Sequence, residues 1–173
     1  MRVAEILFYN SNRVKLVVEM PDPKHCSTKY TPHIPKLLFK LFPHLARHQC
    51  DNEDGFSFRR ESRSTEIPHL FEHLIIELQE QVLQTGTLKG ETQWNWRVDP
   101  RGRFHVYVEY SNELLVLGAI RAAERIIDAL DSRSIDELDV DAEVENLRRI
   151  AAIGDQSKAI PQPLDTIPQA AGS

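Results

Sequence analysis

The stretch Pro68–Gln81, PHLFEHLIIELQEQ, decides how the chain is read. Leu70, Phe71, Leu74 and Leu78, with Val82 just beyond, recur at the three- and four-residue spacing of an amphipathic helix. The spacing predicts a helix over Glu66–Leu83. Pro68 suits its first turn, where a missing N–H leaves no hydrogen bond unmade. His69, Glu72, His73 and Glu77 fall largely on the opposite side, so the expected polar face begins with histidine and carboxylate alone.

That face has the pattern H-x-x-E-H. Residues i and i+4 of a helix lie one above the other, so His69 and His73 are placed to aim two imidazoles at one ion. Neutral imidazole is a good zinc ligand. Glu72, one residue before the second histidine, suits a general base acting on a metal-activated water, the inverted zincin order. A catalytic zinc needs a third protein ligand and an open position. From the residues alone the third ligand is open among Glu77, Glu109, Glu113 and His48. The bland alternative is a solvated helix face.

Outward from this helix, VAEILFYN and RVKLVVEM are β-rich runs around Asn10, Ser11 and Asn12, and read as a hairpin. PDPKHCSTKYTP is a proline-punctuated loop. HIPKLLFKLFPHLARHQC has helical spacing at Leu37, Leu38, Leu41 and Leu45, with a break expected at Pro43. DNEDGFSFRRESRSTE reads as a polar surface loop. TQWNWRV and RFHVYVEY flank the turn sequence DPRG and read as a second hairpin, with Trp94 and Trp96 alternating along its first strand. Asn112 is placed to cap the helix ELLVLGAIRAAERIIDALDS. SIDELDVDAEVENLRRIAAIG holds one or two more helices, ended by Gly154. The order ββ-α-α-ββ-α-α predicts an α+β fold, an antiparallel sheet with helices mainly on one side. The expected division is one domain over 1–153 and a flexible tail over 154–173, rich in Pro, Gln, Ala and Ser.

Composition narrows the function. With 21 basic and 26 acidic side chains the 173-residue chain carries a net charge of −5, which argues against phosphate-backbone binding and is compatible with a cationic partner, a weak signal since most soluble proteins are mildly acidic. Two cysteines, Cys26 and Cys50, are too few for a disulfide scaffold. The charged N-terminus is neither a signal peptide nor a membrane span, so a cytoplasmic protein is expected. No nucleophile elbow or glycine-rich phosphate loop is present. The pairs His25/Cys26 and His48/Cys50 are weaker metal candidates, and FRRESR is a weak anion patch. Trp94 and Trp96 could stack a ligand, though such residues more often pack a sheet.

Several segments together resemble one family. HLFEHLIIELQ resembles a His-x-x-Glu-His-x-x-x-Glu-Leu-Gln segment of the N-terminal domain of cyanophycin synthetase. LFPHLARHQC is similar to its Leu-x-Pro-Gly-Leu…His-x-Cys segment, with His48 and Cys50 at the matching places. VYVEYSNE resembles Val-x-x-Glu-Tyr-x-x-Glu, which places Glu109, Tyr110 and Glu113. GAIRAAERIIDAL resembles the Ala-rich helix that follows. The resemblance spans about Tyr30 to Ile150.

Cyanophycin has a poly-aspartate backbone with an arginine on each side-chain carboxylate. The resemblance implies a domain that holds this polymer or, in the metallopeptidase-like members, cuts it. It implies His69 and His73 as ligands of a metal, expected to be Zn2+, and Glu72 as the base. Glu109 is then the preferred third ligand, with Glu77 second. Glu113, Trp94 and Trp96 are expected to contact substrate. The implied partners are cyanophycin or another arginine-rich polypeptide, a synthetase, or a second copy, with neither nucleic acid nor membrane. A non-catalytic binding or synthetase-interacting module is the alternative. The synthetase's ATP-grasp and ligase-like domains are not found here, so polymer synthesis by that chemistry is not expected. His44 stands where the family has glycine, and Gln84–Gly102 has no clear counterpart.

Overall fold

A computed structural model describes residues 1–50 and 56–159. The architecture is α+β, a four-stranded antiparallel sheet in the order β1-β2-β4-β3 with helices packed against one face. Strands β1 (Arg2–Tyr9) and β2 (Arg13–Glu19) form the expected hairpin. Asn12, at φ 55°, takes the left-handed conformation that asparagine tolerates in such turns.

Alternation sets which face of the sheet is buried. Val14, Leu16 and Val18 of β2 pair with Val108, Val106 and Phe104 of β4 (Arg103–Glu109), and all six are fully buried. The opposite face carries charge. Arg13 lies over the Tyr107 ring and pairs with Glu91 at 2.9 Å.

The second hairpin is shorter than the sequence pattern suggests. Strand β3 spans Gly90–Gln93 only, so Trp94 and Trp96 lie in the connection to β4. There the Trp96 indole N–H donates to the Arg103 carbonyl, and both tryptophan rings pack on buried Phe104. Alternation at 94 and 96 reflects this aromatic cover, not a longer ladder.

Helix α1 (His33–Leu41) stops before Pro43, which opens a 3-10 turn over Pro43–Arg47. The polar stretch that follows is not all surface loop. Residues 51–55 lie outside the described residues, but Phe58–Glu61 form a short helix, α2, and Phe58 is fully buried. Next comes α3 (Ile67–Leu83), which starts and stops within a residue of the expected bounds. Its polar side is not solvated. Glu72, His73, Glu77 and Gln79 are 3, 4, 4 and 0 % exposed. The helix lies against β3 and β4, and α4 (Glu113–Ser132) and α5 (Val140–Ala159) pack over it. A helix enclosed this way buries every side, which periodicity alone does not reveal.

Asn112 caps α4 as expected, its Oδ1 accepting from the Leu115 N–H at 3.0 Å. Its Nδ2 also donates to the Ala151 carbonyl and to Asp155, both on α5. This explains why Gly154 does not end the last helix. A Cβ at Gly154 would lie 2.5 Å from Asn112 Oδ1. The glycine is there for close approach, and α5 continues through it to Ala159, so residues 154–159 are helical where a tail was expected. The rest of the expected tail, from residue 160, lies outside the described residues. Among the described residues no helix is long and apolar enough to cross a membrane.

A helix-interior Gly→Ala change normally stabilises by about 1 kcal/mol. Here Gly154→Ala should instead lower the melting temperature, because displacing the buried Asn112 amide costs about 1–3 kcal/mol. In an Asn112→Ala background the same change should become stabilising. Thermal melts of the two single variants and the double variant check this, and an unchanged or raised melting temperature for Gly154→Ala alone would refute it.

Candidate metal centre

The first turns of α3 carry His69 and His73 one turn apart, and their Nε2 atoms lie 3.2 Å from each other. The side chain brought to them is Cys50, at the end of the segment after the 3-10 turn. Its Sγ lies 3.4 Å from His73 Nε2 and 3.8 Å from His69 Nε2. Among the described residues, Cys50, His69 and His73 are the group whose ligand atoms fall within 4.8 Å of one another.

The spacing fits one ion. Zinc ligands at about 2.0–2.1 Å (nitrogen) and about 2.3 Å (sulfur) in a tetrahedron lie roughly 3.3 Å (N to N) and roughly 3.5 Å (N to S) apart. A thiolate and two neutral imidazoles also suit zinc by donor type, and leave a fourth position. Two imidazole lone pairs this close repel unless a proton or a cation lies between them.

Each ring is held from behind. Thr65 Oγ1 is 2.8 Å from His69 Nδ1. His48 Nδ1 is 3.1 Å from His73 Nδ1, and His48 Nε2 is 3.0 Å from Glu77 Oε2. Gln81 donates to the other Glu77 oxygen at 2.9 Å. Phe58 stacks on the His73 ring with centroids 3.8 Å apart. Such outer partners fix the tautomer and orientation of ligating histidines.

Burial shapes the protonation of the group. It pushes the His69 and His73 pKa values down, His73 well below the usual imidazole range with help from the two neighbouring histidines, so both rings are neutral. Burial raises the Cys50 thiol, and the Glu61 carboxylate hydrogen-bonded to it raises it further. A bound cation reverses that preference, since a coordinating thiol is deprotonated. Burial also raises Glu77, but hydrogen bonds from His48 and Gln81 outweigh it and leave Glu77 below the usual carboxylate range.

Glu72 faces the sheet. Its Oε2 accepts from the Thr92 hydroxyl at 2.6 Å, and its carboxylate packs against Gly90, where a Cβ would come within 2.6 Å of Oε1. Burial raises its pKa to about 7 although the Thr92 bond opposes the shift. It therefore sits on the helix that bears both histidines with a proton affinity near neutrality, a property that suits a general base.

The other candidates are placed elsewhere. The Glu109 carboxylate accepts from the Lys89 N–H at 3.1 Å, and its carbonyl accepts from Gln79. Glu109 and Glu77 are not the side chains gathered with the two histidines; Cys50 is. The physical reason is register. Glu109 ends β4 beside Gln79, two turns along α3 from His73, whereas His48 fills the space between Glu77 and His73. Glu113 is exposed in the first turn of α4. Trp94 is 47 % exposed, both tryptophan rings contact each other and Phe104, and the Arg101 guanidinium lies over the Trp96 ring. The His25/Cys26 pair does not converge. Cys26 is buried and donates to the Pro23 carbonyl, its thiol pushed up to about 12 first by burial, while His25 turns to Asp22 at the surface. Of FRRESR, Arg60 lies over the Phe56 ring and Arg59 is exposed.

From the sequence, His48 is one of four open third ligands and His48/Cys50 a weaker metal pair; Cys50 is not joined to the two histidines, and Phe58, Glu61, Thr65, Gly90 and Thr92 are not named. The His-x-Cys spacing was the available signal. It places one residue behind His73 and the other in front of it.

With this geometry in hand, comparison places the chain. The family of cyanophycin synthase-like N-terminal domains matches residues 15–132. The chain belongs to that family. It is 28 % identical over 151 residues to the cyanophycin synthetase of a Synechocystis species, an alignment covering 84 % of this chain and 17 % of that protein. The chain thus spans about a sixth of the length of that relative.

Gly90 is tied to Glu72 by lack of a side chain. A β-strand normally gains from Gly→Ala. Gly90→Ala should instead destabilise by about 1–3 kcal/mol, since the buried carboxylate must move off Thr92. Chemical denaturation measures this. An unchanged or raised stability would show that Glu72 does not need that space.

Proposed function

We propose that the chain is a metal-dependent hydrolase of amide bonds in cyanophycin or a related arginine-rich polypeptide. The observation that carries the reading is the convergence of Cys50 Sγ and two histidine Nε2 atoms on the helix that also bears buried Glu72. Membership of the cyanophycin synthase-like family supports the substrate class. In this reading Cys50, His69 and His73 hold Zn2+, which supplies Lewis acidity toward a water and a carbonyl oxygen.

The chain's own groups do the rest. Glu72 takes the proton from the attacking water and returns it to the departing amine, since a carboxylate kept from bulk water holds a proton more readily. Thr92 orients that carboxylate through its hydroxyl. The net charge of −5 attracts a guanidinium-bearing polymer.

A second reading has one observation in its favour. The Glu72 carboxylate is already engaged by Thr92 and is 3 % exposed, as a purely structural group would be. The chain is then a module that holds the polymer, or docks on a synthetase, without cutting.

The test is incubation of the zinc-loaded chain with cyanophycin, following polymer length. Shortening that stops on chelation, and that Glu72→Gln slows by about 10²–10⁴-fold while retaining one equivalent of zinc, is the expected result. Binding without shortening by folded, zinc-loaded protein would establish the module instead.

A further inference from the structure

Behind His73 lies a hydrogen-bonded chain that the proposed reaction does not use. It runs from Gln81 through Glu77 and His48 to His73, with heavy-atom separations of 2.9, 3.0 and 3.1 Å. Glu77 and His73 are 4 % exposed, and the His48 side chain is 19 % exposed. Polar groups buried this well need matched donors and acceptors, so the direction of each bond can be worked out.

The Gln81 amide N–H donates to Glu77 Oε1, which leaves Oε2 as an acceptor. A carboxylate oxygen facing an imidazole nitrogen at 3.0 Å requires a proton between them, so His48 carries its proton on Nε2. A ring that carries only that proton has a bare Nδ1. That atom faces His73 Nδ1 at 3.1 Å, so the proton there must sit on His73. A neutral imidazole with its proton on Nδ1 has a bare Nε2, and His73 Nε2 is the atom directed at Cys50 and His69.

We propose that Glu77, acting through His48, holds His73 in the Nδ1–H form, so that its Nε2 lone pair is free for a metal ion. Glu77 and His48 are thus positioning residues that set the affinity of the Cys50–His69–His73 group. The inference rests on the metal reading above. It reassigns Glu77 and His48, two of the four residues that the sequence leaves open as third ligands, since a carboxylate separated from the group by a whole imidazole acts on the ring and not on the ion.

The arrangement also accounts for the metal-free protein. With His73 Nε2 bare, His69 supplies the proton between the two Nε2 atoms while Thr65 Oγ1 donates to His69 Nδ1. When a cation takes that place, His69 would carry its proton on Nδ1 with Thr65 Oγ1 accepting it, and the Cys50 thiol would give up its proton, while the chain behind His73 stays as it is.

The test has two arms on the full chain. In the first, nitrogen-15 NMR of the metal-free wild type reads the tautomer of His73. The Nδ1–H form is expected, and a dominant Nε2–H form overturns the inference. In the second, zinc affinity is measured by competition with a chromophoric chelator for wild type, His48→Phe, Glu77→Met and the double variant. Each single variant should bind zinc about 10–100-fold more weakly. The double variant should be little weaker than either, because both act through one chain. His105→Phe, which breaks the similar His105–Asp99 pair on the outer side of the sheet, should leave affinity unchanged. Equal affinity in wild type and in folded single variants overturns this inference but leaves the metal reading standing. Failure of the wild type to take up zinc overturns both. A variant that does not fold is replaced by the wild-type tautomer measurement, which needs no substitution.

Discussion

Everything in this structure follows from enclosing α3 on all sides. Leu70, Phe71, Leu74, Ile75 and Leu78 fill its contacts with the sheet and the outer helices. The same helix carries Glu72, His73, Glu77 and Gln79 into the interior. A buried polar group without a partner costs about 1–3 kcal/mol, so the surrounding segments must supply partners as well as apolar cover. They do so one by one. Thr92 meets Glu72, His48 meets both His73 and Glu77, and Gln79 donates to the Glu109 carbonyl. Leucines at these places would pack with less demand on their neighbours. Polar residues held at such expense mark this part of the fold as the candidate site.

The local features were legible from the sequence. The first hairpin, the break at Pro43, the Asn112 cap and the bounds of α3 depend on a few adjacent residues and on periodicity, and each stands where the pattern puts it. The pair His69 and His73 was legible for the same reason, because one turn of helix fixes their spacing. Cys50 was not. It reaches the histidines only because the chain turns back after Arg47 and α2 sets Phe58 against His73, and neither event has a local signature. Glu109 looked suitable because its chemistry is right, but strand register puts it beside Gln79. Gly154 was misread because glycine ends helices when its left-handed freedom is used. Here its lack of a side chain is used, to let Asn112 in.

The two sides of the centre differ in kind. On one side lie side chains from distant segments, Cys50, His48 and Phe58, which arrive by tertiary packing. On the other lies β3, whose position is set by α3 itself. The helix ends at Gln84 in a left-handed conformation, and Glu80, one turn earlier, accepts the backbone N–H groups of Thr85, Gly86, Thr87 and Leu88. Four amide donors on one carboxylate hold the connecting segment rigidly against its own helix.

That tether has a consequence for Glu72. From Leu88 the chain needs only two residues to reach Gly90, so the wall that packs against the Glu72 carboxylate is fixed by a residue eight positions later on the same helix. His69, His73, Glu72 and the strand that packs on Glu72 are thereby referred to one helix. A carboxylate that served as the proposed base would need preorganisation of this kind, because a displacement of a fraction of an ångström would be felt directly in the geometry of proton transfer.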